Sequence, residues 1–283
     1  MTEQRLPGRE RYVYSQSDVE ISFRSVGVSR GDVVFLTAGF GNLGVLQGAD
    51  SLEDTFSSVI EVLKHLVGHE GALIVPTYSY SFGAGKEQPP HQMPHYSVGE
   101  TPTQLGQFNE WFRVEVADER TVDPMVSVAI WGEGARGLAR NLPRTSYGHD
   151  SIFERLLELP ATVLNVGLGP RWTPFIHYVD FLCDVPHRYE KRFLGSIDDG
   201  SGMETVEWTY HVPIRIPNAR GLGEGNGQAA FEAGLWAEAP LGRARVVMAS
   251  YLDYFDFTLA RTRRNPWNLA AGPPVDIKDA DRS

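Results

Sequence analysis

The first half of the chain alternates capped helices of 3.6-residue periodicity with short β-branched runs, a pattern that points to an α/β architecture. Ser17 and Glu20 spell a capping box ahead of Val19, Phe23 and Val26, and Gly27 supplies the stop. A strand is expected over residues 33–36. A helix capped by Ser51 follows, its apolar stripe running through Leu52, Phe56, Val59, Leu63 and Leu66, and then a strand over 72–76. Residues 79–103, rich in Gly, Pro, His and Tyr, read as one long loop. Helices near 105–113, 151–158 and 174–183 and strands near 126–131 and 162–166 continue the alternation.

After Pro186 the character changes. Val206, Trp208, Tyr210, Val212 and Ile214 alternate as a half-buried strand, with Pro213 marking an edge or a bulge. Residues 218–228 read as a Gly-rich loop, and Ser250 with Asp253 opens a last helix through Arg263. The expected fold is α/β in three layers, with a central, mainly parallel sheet and a small antiparallel β addition in the C-terminal third. It forms a single domain over residues 1–270 with the antiparallel insertion at about 196–245, and residues 271–283 read as a disordered tail.

Composition narrows the function classes. The formal charge is −10, from 36 acidic and 26 basic residues, and no basic stretch is interleaved with aromatics. That argues against nucleic acid and suits a cationic or amine-bearing small molecule. No run of about 18 apolar residues marks a membrane span, and residues 1–11 lack the apolar core of a secretory signal, so the cytoplasm is the expected compartment. Cys183 is the only cysteine, which excludes an intramolecular disulfide and thiolate zinc clusters.

Gly39, Gly41 and Gly44 match the dinucleotide-binding spacing, but no helix begins at them and the next strand ends Val75-Pro76-Thr77 without an acid for a ribose. A tight active-site turn is the better reading. His91 and His95 lack further ligands at a recognisable spacing, so no metal is expected. Cys183 lies six residues after His177, on a different helix face, which suits a packed thiol better than a nucleophile.

The stretch Trp172 to Pro186 carries the most chemistry. Thr173 followed by Pro174 is a favourable helix start, and His177, Asp180 and Asp184 then fall at i, i+3 and i+7. A carboxylate beside a histidine fixes its tautomer and raises its basicity, as a general base for an amine requires. The alternative is a hydrogen-bonded helix histidine on the surface.

With these residues the chain resembles the aminoglycoside 3-N-acetyltransferase family over roughly residues 17–268. The resemblance rests on Gly31-Asp32, Thr101-Pro-Thr-Gln-Leu-Gly106, Asp123-Pro124 with Ser127 and Trp131-Gly132, Gly148-His-Asp-Ser151, His177-Tyr-Val-Asp180 with Asp184-Val-Pro186, and Asn265-Pro266. It implies direct transfer of acetyl from acetyl-coenzyme A, or another acyl-coenzyme A, to an amine. His177 matches the catalytic histidine, and Asp180 stands where a glutamate is usual. Thr37, Ala38, Gly39 and Thr173 become candidates for holding the acyl carbonyl. Thr103, Gln104 and Leu105 would lie at a helix N-terminus able to receive a pyrophosphate. Asp123, Tyr147, His149, Asp150, Asp180 and Asp184 are the expected border of the acceptor pocket. Asp150 reads equally as a helix-terminal charge, and Asp123 as a strand-entry turn. A homodimer is a further expectation.

Three departures accompany the resemblance. Thr37-Ala38-Gly39 replaces His-Ser-Ser, Asp123-Pro124 replaces His-Pro, and Pro174 replaces a threonine that can donate to the developing oxyanion. Loss of one such donor costs on the order of 10²–10³ in rate. The spelling around Phe175 to Asp180 and Val185 to Tyr189 is closer to an amino-sugar branch than to the drug-modifying one. Two rival classes remain: a fold-retaining, non-catalytic binding protein, and a dinucleotide-dependent oxidoreductase.

Overall fold

A computed structural model describes residues 12–83, 93–172, 174–219, 221 and 223–273. The strands are β1 (Val13–Tyr14), β2 (Val33–Ala38), β3 (Val45–Leu46), β4 (Ala72–Pro76), β5 (His95–Ser97), β6 (Glu119–Arg120), β7 (Val128–Trp131), β8 (Ala161–Val166), β9 (Arg188–Asp198), β10 (Met203–Pro213), β11 (Ala237–Leu241) and β12 (Ala244–Ser250). The α-helices are α1 (Gln16–Val26), α2 (Leu52–Val67), α3 (Gln107–Glu115), α4 (Ile152–Arg155), α5 (Ile176–Leu182), α6 (Glu224–Glu232) and α7 (Tyr251–Arg264).

Strands β2, β4 and β8 are apolar almost throughout because both their faces are covered. Alternation sends Val33, Phe35, Ala72, Ile74 and Val163 into a core shared with Phe175, Tyr251 and Tyr254. Val34, Leu36, Leu73, Val75 and Leu164 enter a second core with Phe23, Phe56, Leu63 and Phe112. Three layers result. The central sheet has the order β11-β12-β8-β2-β4-β7-β6. β2 pairs in parallel with β4 and β8, and antiparallel strands extend the sheet on both sides.

β9 and β10 form an antiparallel hairpin, and β5 adds to β9 in parallel. Ile197, Val206, Trp208 and Tyr210 join the core that holds α5, so the hairpin stands on that side of the sheet. The antiparallel unit therefore spans 188–213 rather than 196–245, while residues 237–250 return to the edge of the central sheet. Exposed Glu190, Arg192 and Leu194 obscure β9 as a strand in the sequence.

Several local expectations shift. The first capping box is Ser15 with Asp18, not Ser17 with Glu20, because Tyr14 is held extended by β1–β3 pairing and the helix can start immediately after it. Gly27 ends α1 in the left-handed conformation as expected, and Ser51 caps α2. The long loop contains β5, and residues 84–92 fall outside the described part. The tail expected over 271–283 does so from residue 274. Among the described residues no helix is long and apolar enough to cross a membrane.

The Gly-rich stretch contains α6, which tertiary contacts hold where propensity would not. Buried Asn226 donates to Thr258 Oγ1 at 2.9 Å and accepts from Asn268 Nδ2 at 3.0 Å. Gly227 lies so close to the Pro170 carbonyl that an added Cβ would stand 1.7 Å from its oxygen. Gly227→Ala is therefore expected to destabilise the protein by about 1–3 kcal/mol. An unchanged denaturation midpoint would show that α6 can move aside freely.

Candidate active site

Phe175 anchors α5. Fully buried, it meets the rings of Tyr251, Tyr254 and Phe255 nearly edge-on at 4.9, 5.2 and 5.6 Å. The helix begins at Ile176 with Phe175 as its N-cap, two residues later than a start at Pro174 implies. Thr173 falls outside the described residues. Upstream, buried Asn165 accepts a hydrogen bond from Thr37 Oγ1 at 2.6 Å. Its Nδ2 donates to the carbonyls of Gly169 and Trp172 at 3.0 and 3.2 Å. The end of β2 is thereby tied to the segment that feeds α5.

A three-residue spacing sets His177 and Asp180 on one helix face. The Asp180 side chain is 2% exposed and that of His177 24%, with Nδ1 and Oδ2 3.2 Å apart. An ionised carboxylate only accepts, so Nδ1 carries the proton and Nε2 offers the lone pair. The hairpin supplies the surroundings. His187 Nε2 stands 3.8 Å from Asp180 Oδ1, and Arg188 Nε 3.9 Å from Oδ2. Arg188 donates to the His211 carbonyl from Nη2 at 2.6 Å and Nε at 3.2 Å.

Burial dominates the titration of this cluster. It pulls His177 down to about 4; Arg188 adds to the effect, and Asp180 opposes it without prevailing. His211 falls to about 3, from burial first and Arg188 second, and burial also lowers His187. At neutral pH all three imidazoles are therefore uncharged. An uncharged His177 with its Nδ1–H directed at Asp180 is a proton acceptor.

Tyr147 lies edge-on to His177, ring centres 6.0 Å apart, and packs on Tyr210 at 5.5 Å. Burial holds its phenol well above the ordinary range. Asp123 is buried and accepts from the amides of Met125 and Val126 at 2.7 and 2.9 Å and from Ser146 Oγ at 3.0 Å. Burial raises it to about 6. It thus forms the strand-entry turn and reaches the site through Ser146, the neighbour of Tyr147.

Three of the expected acceptor residues are directed elsewhere. Asp150 is exposed and gives both oxygens to Arg155 at 2.7 Å. The His149 side chain is 96% exposed, 2.9 Å from Glu154. Asp184 follows the end of α5, turns left-handed at φ 45° and is exposed, so the i+7 alignment with His177 fails.

The expected donor-binding groups are partly engaged already. Thr37 donates to Asn165, and the Gly39 amide donates to Val166 O at 2.8 Å. The amides of Thr103, Gln104 and Leu105 donate to Glu110, Tyr78 O and Thr103 Oγ1. α3 starts only at Gln107, so the free amides expected at 103–105 are not present. Ala38 and Leu105 nevertheless meet around one cavity of about 290 Å³, together with Phe40, Gly41, Gly106 and Gln107. Between Gly39 and Gly44 lies a short 3₁₀ turn, Phe40–Asn42, and no α-helix begins there. His91 lies outside the described residues, and His95 Nδ1 is 3.0 Å from Ser196 Oγ. Cys183 is partly exposed, its thiol pushed up chiefly by burial.

His187, Arg188 and His211 were not singled out as site residues from spacing. Only the β9–β10 register, which pairs Arg188 with Pro213 and His211 with Glu190, brings them to α5. Pro186 ahead of two cationic-type residues was the one local sign.

The family described as aminoglycoside 3-N-acetyltransferase matches residues 36–262. Among solved structures, AAC-IIIb in binary complex with CoASH is similar at 18% identity and a TM-score of 0.73, covering 93% of this chain and 100% of that one. Sisomicin-bound AAC-VIa is similar at 20% identity and a TM-score of 0.75, covering 89% and 98%. The YokD protein of Bacillus subtilis is similar at 18% identity and a TM-score of 0.72, covering 89% and 94%.

The buried histidines set the acid stability of the fold. Unfolded, they bind protons near 6.5; folded, His177 and His211 resist to about 4 and 3. As pH falls below 6.5 the unfolded state gains protons that the folded state refuses, and stability is lost. Asp123 acts oppositely, its folded value of about 6 exceeding the ordinary 3.8, but it is one group against three. The expected result is a lower thermal midpoint at pH 5 than at pH 7. A flat or rising midpoint over that interval would mean that these histidines are charged in the folded protein.

Proposed function

Since the chain belongs to the aminoglycoside 3-N-acetyltransferase family, we propose that it is an acyl-coenzyme A dependent N-acetyltransferase acting on an amine-bearing carbohydrate, an aminoglycoside or an amino sugar. The carrying observation is the His177–Asp180 contact of 3.2 Å, with Asp180 buried and His177 still open in part. The coenzyme and sisomicin bound in AAC-IIIb and AAC-VIa support the two substrate classes.

His177 Nε2 accepts the proton that the amine gives up as its nitrogen bonds to the thioester carbonyl carbon. Asp180 holds the ring and stabilises the imidazolium that forms. His177 then passes the proton to the departing thiolate as the carbon–sulfur bond breaks, leaving an amide and a free thiol. Cys183, with its thiol pushed up by burial, is a poor nucleophile, in keeping with direct attack. Asp123 and the rings of Tyr147 and Tyr210 are assigned to the acceptor side.

The donor is assigned to the carboxyl ends of β2 and β8, where open α/β sheets commonly receive ligands. The cavity of about 290 Å³ at Ala38, Gly41 and Gly106 is assigned to the thiol-bearing arm. A second cavity of about 550 Å³, lined by Asn42, Gly167, Gln228, Arg171 and Arg245, offers cationic groups for phosphates.

Thiol release from acetyl-coenzyme A, measured against aminoglycosides and free or nucleotide-linked amino sugars, tests this reading. His177→Ala is expected to lower kcat/KM by about 10²–10⁴. Asp180→Asn should lower the rate and move the acid limb downward, because the His177 value of about 4 already includes the upward pull of Asp180. A His177→Ala enzyme within a few-fold of the parent would remove the base assignment. The engagement of Thr37 by Asn165 and of the Gly39 amide by Val166 favours a second reading, a non-catalytic binding protein. Silence for every acceptor without coenzyme A binding would support it, whereas binding without release would point to another acyl donor or acceptor.

A further inference from the structure

Besides His177, which hydrogen-bonds to it, Asp180 is approached by His187 at 3.8 Å and Arg188 at 3.9 Å, neither of which does so. Among the described residues, Asp180 Oδ1, His187 Nδ1 and His211 Nδ1 are buried without a hydrogen-bond partner. The side chain of Arg188 is 6% exposed, and its nearest approach to Asp180, 3.9 Å, is beyond hydrogen-bond length. Its fork closes instead on a neutral carbonyl, that of His211, through two donors. This is an unusual disposition for a buried guanidinium, which ordinarily seeks a bidentate carboxylate. The grip on β10 fixes the cation at a set distance from the oxygen that holds the His177 ring, and in a buried setting its charge acts over that distance with little screening.

We propose that Arg188 is a positioning residue for the His177–Asp180 pair, held off the carboxylate by strand β10 so that its charge keeps the imidazole neutral and ready to accept a proton. Were Arg188 to form a close ion pair, it would compete with Nδ1 for Oδ2 and release the ring. Were it absent, Asp180 would act unopposed and draw a proton onto His177 before any substrate arrived. The groups facing His177 are Asp180 from its own helix, Tyr147 from the segment before α4, His187 just ahead of β9, Arg188 at the start of β9, and His211 from β10. The burial that lowers His177 is reinforced first by Arg188. The inference rests on His177 being the base.

The test reads the imidazole directly and requires no turnover, so it stays separate from whether acyl transfer is found. Proton NMR titration of the His177 ring, assigned by comparison with His177→Gln, is recorded for the parent and for Arg188→Met, Arg188→Gln and Arg188→Lys. The parent midpoint is expected below pH 5. Arg188→Met and Arg188→Gln should raise it by about one pH unit, whereas Arg188→Lys, which keeps the charge, should leave it near the parent value. Where activity is measurable, the acid limb of kcat/KM should move upward with the same two variants, opposite to Asp180→Asn. A midpoint that stays put in the neutral variants, or that moves equally in all three, would overturn the proposal. If no Arg188 variant folds, a parent midpoint at or above 6.5 overturns it.

Discussion

Double burial of β2, β4 and β8 governs the arrangement of the rest. A strand covered on both faces can carry a polar side chain only if that side chain finds its own partners, and Asn165 in β8 is such a residue. Its carboxamide oxygen accepts a hydrogen bond from Thr37 on the neighbouring strand, and its Nδ2 donates two to the chain that leaves β8. Those bonds set the path from the sheet into α5, and Phe175 completes it by entering the aromatic cage of α7. The site is held from the sheet side by amide geometry and from the helix side by ring packing.

The charged cluster beside α5 works against the stability of the fold. A buried aspartate, a buried arginine and three poorly solvated histidines would commonly be replaced by apolar side chains with equal or greater stability. Their retention makes sense for chemistry, since a desolvated imidazole keeps its lone pair at the acidities where a solvated one would be protonated. Asp123 shows the same environment acting on an acid, holding it protonated to a higher pH than usual.

The sequence made the helices and central strands legible because local rules and tertiary packing agree there. Ser51, Gly27 and the apolar stripe of α2 act in the structure as their spacing implies. His177 with Asp180 was readable because i, i+3 pairing is a property of one helix. Asp184 leaves the i+7 pattern for the converse reason: α5 stops before the pattern does, and Asp184 turns left-handed and is exposed. Asp150 and His149 looked available because Arg155 and Glu154, which engage them, are named by folding rather than by motif. The hairpin starts earlier in the chain than alternation implies because the exposed face of β9, with Glu190, Arg192 and Leu194, conceals it as a strand. Arg188 and His211 meet α5 only through a strand register that no single segment encodes.

The ring of Trp267 lies 4.7 Å from that of His187, and the cage around Phe175 is built from residues 251–255. A chain emerging from the ribosome therefore exposes α5 before the aromatic residues of α7 that seat it exist. The central strands can pair early, but the helix bearing His177 lacks its seat until some seventy-five further residues have been made, and the imidazole cluster lacks one wall until Trp267 follows. Assembly of this site therefore waits on residues 251–267, and the nascent chain carries an unseated aromatic helix throughout that interval.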